Sequence, residues 1–254
     1  MAPTLKNRHE LDLMRHAGGI VGECHRLLRD AIRPGVTTGQ LNKLVHDHIV
    51  RQGGIPSFLG YPGPTPFPAA TCISVNEEIV HGIPGPRALR EGDIVSIDIG
   101  VIWRGYHGDS AWTYAVGDVS PAAQELLHVT ERTLYHALEF ARAGGRLSDI
   151  SHAIQSYAES HGYGVVRKYI SHGIGRALHE EPQIKNYGPP GKELRIRPGM
   201  TFAIEPMITQ GSYETRELAD GWTVVTADGN LAAHFEHTIA IAEDGPPEIL
   251  TRQD

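Results

Sequence analysis

Residues 94–114 read IVSIDIGVIWRGYHGDSAWTY. Their period-two alternation puts Val95, Ile97, Ile99 and Val101 on one face of a strand and Ser96, Asp98 and Gly100 on the other. Asp98 therefore sits on the less apolar face. Asp109 follows eleven positions later, across the glycine-punctuated WRGYHG. That length lets a bulged or looped strand pair bring the two carboxylates together. Taken alone, the pair reads equally well as a surface aspartate and a turn aspartate.

Working outward, TCISV (71–75) and AWTYAV (111–116) extend the strand pattern, and TFAIEPMIT, WTVVTA and HFEHTIAIA restore it after residue 200. Residues 61–68, YPGPTPFP, are saturated with proline and glycine and form a shaped loop. Residues 7–30 place Leu11, Met14, Ile20, Leu27 and Leu28 at mixed three and four spacing, which predicts an amphipathic helix ended by Pro34 and Gly35. Thr37 or Thr38 caps a second helix through Leu41, Leu44, Val45 and Ile49, which Gly53 and Gly54 end. From Ser120 to His161 two helices are expected, split at Gly144 and Gly145. Helices, strands, helices, strands is an α+β order rather than a strict βα alternation. With no internal repeat or linker, residues 1–254 are expected to form a single domain.

Composition narrows the function classes. Charged residues at 21% and the hydrophobic set at 40% are ordinary for a packed domain. A formal net charge of −7 lacks the basic footprint of a dedicated nucleic-acid binder. The two cysteines, Cys24 and Cys72, suit a reducing compartment, so a cytoplasmic location is expected. The first residues hold no apolar core of signal-peptide length, and no stretch approaches a membrane span, so neither export nor anchoring is expected.

Three further signals join the two aspartates. HGIGRALHEEP sets His172 and His179 among glycines, where backbone can approach a ligand closely. Glu205 lies inside the apolar FAIEPMI and Glu236 inside HFEHTIAI. An ionised carboxylate in such a run is costly unless it is paired or holds a metal. Asp98, Asp109, Glu205 and Glu236 together supply a formal charge of −4, which balances two divalent ions. An oxygen-rich set with one imidazole suits Mn²⁺, Fe²⁺, Co²⁺ or Zn²⁺. Two-metal hydrolytic sites hold their ions about 3.5–4 Å apart.

The order Asp98, Asp109, His172, Glu205, Glu236, set in VSIDIG, GDSAWTY, SHGIGRALHEEP, IEPM and FEHTIAI, closely resembles type I methionine aminopeptidases over essentially the whole chain. The resemblance implies the pita-bread fold, a curved antiparallel sheet with outer helices around a central dinuclear metal site. It implies that Asp109 and Glu236 bridge both ions, that Asp98 binds one, and that His172 and Glu205 bind the other. His81, in EEIVHGIPG, and His179 are then expected to contact the substrate amine or scissile amide, with Glu205 moving the proton. Tyr61, Cys72 and Trp222 are expected to line the methionine pocket. The implied partners are the N-termini of nascent polypeptides, with ribosome association left open and a monomer expected.

Two positions depart from the family pattern. Ser171 stands where glycine usually precedes the metal histidine, and Leu178 where phenylalanine is common before the second one. Phe58 is read as compensating for Leu178. Proline-specific peptidases of the same fold carry a substantial domain ahead of the metal half, and Asp98 arrives too early for one. Type II methionine aminopeptidases insert a helical segment between the last two glutamates, which here lie only 31 positions apart. A non-catalytic binding protein on this scaffold is expected to have lost ligands, and a structural metal site to favour cysteine and histidine. His9, His16, His46, His48, His128, His152 and His161 are read as solvated surface residues.

Overall fold

A computed structural model of the chain describes residues 3–253. Four helices stand where the apolar spacing puts them, and local capping sets their starts. Helix α1 (Arg8–Ala31) opens with a capping box: the Asn7 side chain accepts from the Glu10 N–H while the Glu10 carboxylate accepts from the Asn7 N–H. Thr37 and Gln40 repeat the device for α2 (Thr38–Arg51). Ser120 caps α3 (Pro121–Leu138), whose first position is a proline that needs no donor there. Helix α4 (Leu147–Ser160) follows after Gly144 and Gly145. No helix among the described residues is long and apolar enough to cross a membrane.

Every strand ladder between the named strands is antiparallel. Ile94–Trp103 and Tyr106–Ala115 form a long hairpin in unbroken register from Ile94↔Ala115 to Trp103↔Tyr106. Of the bulged and looped pairings that the spacing allows, the chain takes the looped one: Arg104 and Gly105 both take positive φ and close the turn in two residues. The register pairs Asp98 with Ala111 and Gly100 with Asp109. The two aspartates are therefore diagonal neighbours on one face.

The far edge of Ile94–Trp103 pairs with Ile55–Pro56 and Thr71–Val75. A five-stranded sheet runs in the order Glu248–Ile249, His237–Ala240, Thr201–Ile204, Ser171–Gly173, Glu180–Ile184. Side chains stitch the two sheets together. The Thr238 hydroxyl donates to the Asp109 carbonyl and accepts from the Asp109 N–H. The Glu236 N–H donates to the Ala111 carbonyl, and the Ser110 hydroxyl to that of Glu236.

Helices cover one side of these sheets. Helices α1 and α2 pack Ile20, Val21, Leu28, Leu41 and Ile49 against Ile73, Val95, Ile97, Ile99 and Val101. Helices α3 and α4 pack Leu126, Leu134, Ile150 and Ile154 against Phe202, Ile204, Phe235 and Ile239. Helix α1 lies close enough that a Cβ on Gly108 would meet the Gly18 nitrogen at 2.6 Å, so that contact needs glycine. His48 corrects the reading of the scattered histidines. It is buried, with Nε2 2.8 Å from a Glu23 carboxylate oxygen, because the helical face that carries it turns toward α1. His9, His16, His128, His152 and His161 are exposed and His46 half-buried.

Candidate metal centre

The antiparallel ladders deliver the acidic residues to one point. Asp98 and Asp109 come from the long hairpin. Glu205 follows Ile204 and Glu236 precedes His237, and Ile204 pairs with His237, so the glutamates leave the end of that ladder side by side. His172 pairs with Ala203, two positions before Glu205, and side chains two apart share a face. One atom each of Asp109, His172 and Glu236 lie within 4.8 Å of one another. His172 Nε2 is 3.4 Å from Glu205 Oε1.

The cluster is built for cations. Asp98 Oδ1, Asp109 Oδ1, Glu236 Oε1 and His234 Nε2 are buried without a hydrogen-bond partner, which native interiors rarely tolerate. Burial pushes the Asp98 carboxyl up to about 7. Burial and then the neighbouring carboxylates raise Asp109, Glu205 and Glu236 well above the ordinary range. A divalent ion removes both causes by replacing water and offsetting the mutual repulsion. His172 is prepared as a ligand: its Nδ1–H donates to the Gly173 carbonyl at 2.9 Å, leaving the Nε2 lone pair free. Burial, with His179 nearby, pulls its pKa down to about 3 and keeps it neutral.

The acids floor a cavity of about 180 Å³, of the order that takes one benzene-sized apolar group. Tyr61, Cys72, His81, His179 and Trp222 all line it, together with Phe58 and Leu178. His81 has a positive φ of 60°, and its ring meets those of Tyr169 and Trp222 edge to face at 5.5 and 6.3 Å. Burial, then His179, lowers its pKa to about 4. His179 stands exposed at the mouth, where its Nδ1 shares a 2.6 Å hydrogen bond with the Tyr61 hydroxyl. The remaining shielding by protein lowers its pKa.

The structure adds wall residues that the sequence pattern does not single out, namely Phe67, Val80, Tyr169, Ile170, Met207 and His234. For His234 a signal existed. It precedes Glu236 by two positions in a strand-like run, so both face the same way.

Metallopeptidase family M24 matches residues 12–243. The chain is 56% identical over 247 residues to methionine aminopeptidase 1 of Bacillus subtilis, covering 97% of this chain and 98% of that one. Its structure superposes on a methionine aminopeptidase of Thermotoga maritima with a TM-score of 0.96 at 45% identity, covering 99% and 100% of the two chains. A prolidase of Pyrococcus furiosus shares the fold, with a TM-score of 0.78 at 20% identity, covering 98% of this chain and 66% of that one. The architecture is thus the pita-bread fold, and the chain belongs to the methionine aminopeptidases of metallopeptidase family M24.

Proposed function

We propose that the chain is a hydrolase that removes the N-terminal methionine of newly made polypeptides when the second residue is small. The observation that carries this reading is the buried carboxylate cluster with its orphaned oxygens, set on the floor of a mainly apolar cavity of about 180 Å³. Residues 1–254 act as one catalytic domain. Asp98, Asp109, His172, Glu205 and Glu236 are the residues that would hold two divalent ions, with Asp109 and Glu236 shared between them, Asp98 on one and His172 with Glu205 on the other. Mn²⁺, Fe²⁺, Co²⁺ and Zn²⁺ all suit these donors. When bound, the ions supply an activated water and polarise the scissile carbonyl.

The protein's own groups do the rest. The wall of Tyr61, Cys72 and Trp222 takes the methionine side chain out of water. His81, kept neutral, accepts a hydrogen bond from the incoming amine and orients it. Glu205, ionised once the ions offset its neighbours' charge, takes the proton from the attacking water and passes it to the leaving amine. His179, steadied by Tyr61, hydrogen-bonds the oxyanion or the adjacent amide. The protein works in the cytoplasm as a monomer, on chains emerging from ribosomes.

The test is to strip the protein of metal, add back single ions, and compare methionine release from Met-Ala-Ser with hydrolysis of Ala-Pro peptides. Release from the first alone supports the reading, and preference for Ala-Pro replaces it with proline-specific hydrolysis. Equal cleavage of Met-Lys and Met-Ala peptides contradicts the small-residue rule.

A further inference from the structure

His234 ends the strand Ala232–His234, opposite Met207. Its backbone is clamped by one side chain: its N–H donates to Thr113 Oγ1 at 2.9 Å, and its carbonyl accepts from that hydroxyl at 2.8 Å. The ring is 1% exposed and lines the metal cavity. Its Nε2 has no hydrogen-bond partner. The nearest carboxylate oxygens, Glu205 Oε2 at 3.7 Å and Glu236 Oε2 at 3.9 Å, lie beyond hydrogen-bond reach.

Those separations have another meaning. Ligand atoms that each sit about 2.1 Å from one ion lie roughly 3.0–3.4 Å apart in octahedral or tetrahedral geometry. His172 Nε2 and Glu205 Oε1 are already at 3.4 Å, and the His234 pairs are a few tenths of an ångström wider. Glu205 thus carries an imidazole nitrogen beside each of its oxygens, and only one of the two belongs to the ligand set already assigned.

Building on the metal-centre reading above, we propose that His234 Nε2 is a further protein ligand, giving the ion held by His172 and Glu205 a second imidazole. A donor set with two imidazoles shifts that site toward Co²⁺ and Zn²⁺ and away from Mn²⁺, which prefers oxygen.

Proton NMR of the Co²⁺-loaded full-length protein tests this directly, because the N–H of each cobalt-bound imidazole gives a strongly shifted resonance that vanishes in D₂O. Wild type should show two such resonances, and His234→Gln should lose one. By calorimetry the variant should bind Co²⁺ about 10- to 100-fold more weakly at one site, at least the cost of disturbing an outer-shell partner, with a smaller loss for Mn²⁺. A single resonance in wild type overturns the proposal even if no variant folds. So does a folded His234→Gln with Co²⁺ affinity unchanged. Co²⁺ bound with one shifted imidazole leaves the metal-centre reading standing without His234, whereas no Co²⁺ binding by wild type removes both.

Discussion

The buried hydroxyl of Ser171 accepts a hydrogen bond of 2.9 Å from the backbone N–H of Glu205 and donates one of 2.8 Å to Asn186 Oδ1. Asn186 closes the ring by donating from Nδ2 to the Glu205 carbonyl at 3.0 Å. The residue that departs from the family's glycine thus anchors the glutamate proposed to move the proton. Ser171→Ala leaves a buried N–H and a buried amide oxygen without partners, at a cost of about 1–3 kcal/mol. The expected Tm loss is roughly 2–4 °C per kcal/mol. On Met-Ala-Ser, kcat should fall more than KM rises, because the substrate cavity is untouched. Melting curves and steady-state kinetics check this, and an unchanged Tm together with an unchanged kcat would refute the anchoring role.

Asp109→Asn should stabilise the metal-free protein and destabilise the loaded one. Burial and neighbouring carboxylates raise the folded pKa of Asp109 well above its ordinary value of 3.8. Its contribution to stability is therefore full below about pH 4 and is lost as pH rises toward the folded pKa. Asparagine carries no such burden. Metal-free variant and wild type should have similar stability near pH 4, and the variant should be the more stable at pH 7. Saturating Co²⁺ should reverse that order and leave the variant inactive. Urea melts at both pH values, with and without metal, measure it. Near-normal turnover by the variant at saturating metal would sink the bridging assignment.

His25 gives a pH effect from a histidine outside the cavity lining, behind the strand that carries Asp109. It is fully buried, with Nδ1 2.8 Å from the Tyr114 hydroxyl and Nε2 3.1 Å from the Ser110 carbonyl. Burial pulls its pKa down to about 4. The unfolded chain takes up the proton first as pH falls, so this contribution is complete above about pH 6.5 and is lost toward pH 4. Over that window it amounts to about 3 kcal/mol, at 1.36 kcal/mol per pH unit. Stability of His25→Gln should depend on pH less steeply than wild type by about one proton between pH 6.5 and 4. Parallel curves from urea melts would show that His25 does not titrate on unfolding.

Long-period signals were legible in the chain and short-range geometry was not. The hairpin around Asp98 and Asp109 declared itself because the seven alternating residues from Val95 to Val101 fix a face, while its turn could be placed but not typed. Without the family resemblance His172 reads only as a histidine among glycines, since Ser171–Gly173 is too short to show a period. Its strand exists because Ala203 and Gln183 pair with it from either side. His48 looked solvated because a helix wheel does not show that a second helix covers it. His234 was passed over because it lies in an apolar run beside a stronger signal, Glu236, and its meaning rests on distances to Glu205 that no spacing encodes.

Phe58 and Leu178 line one cavity and belong to one buried cluster, 7% and 6% exposed. Gly100, on the same strand face as Asp98, makes room for the phenylalanine: a Cβ there would come within 2.8 Å of a ring carbon of Phe58. The cavity with leucine at 178 thus has an aromatic ring at Phe58. A ring placed against a methionine sulfur contributes roughly 0.3–1.5 kcal/mol. Phe58→Ala should therefore lower kcat/KM for Met-Ala relative to Leu-Ala, a graded loss of up to about tenfold. Gly100→Ala should push the ring aside and move selectivity in the same direction. Leu178→Phe should restore much of the preference in the Phe58→Ala background, with a coupling above roughly 0.5 kcal/mol, while doing little or overpacking the pocket on its own. Selectivity ratios for the four proteins of the Phe58–Leu178 cycle decide the matter. If the two changes simply add, Phe58 is wall packing, and methionine is selected by Tyr61, Cys72 and Trp222 without it.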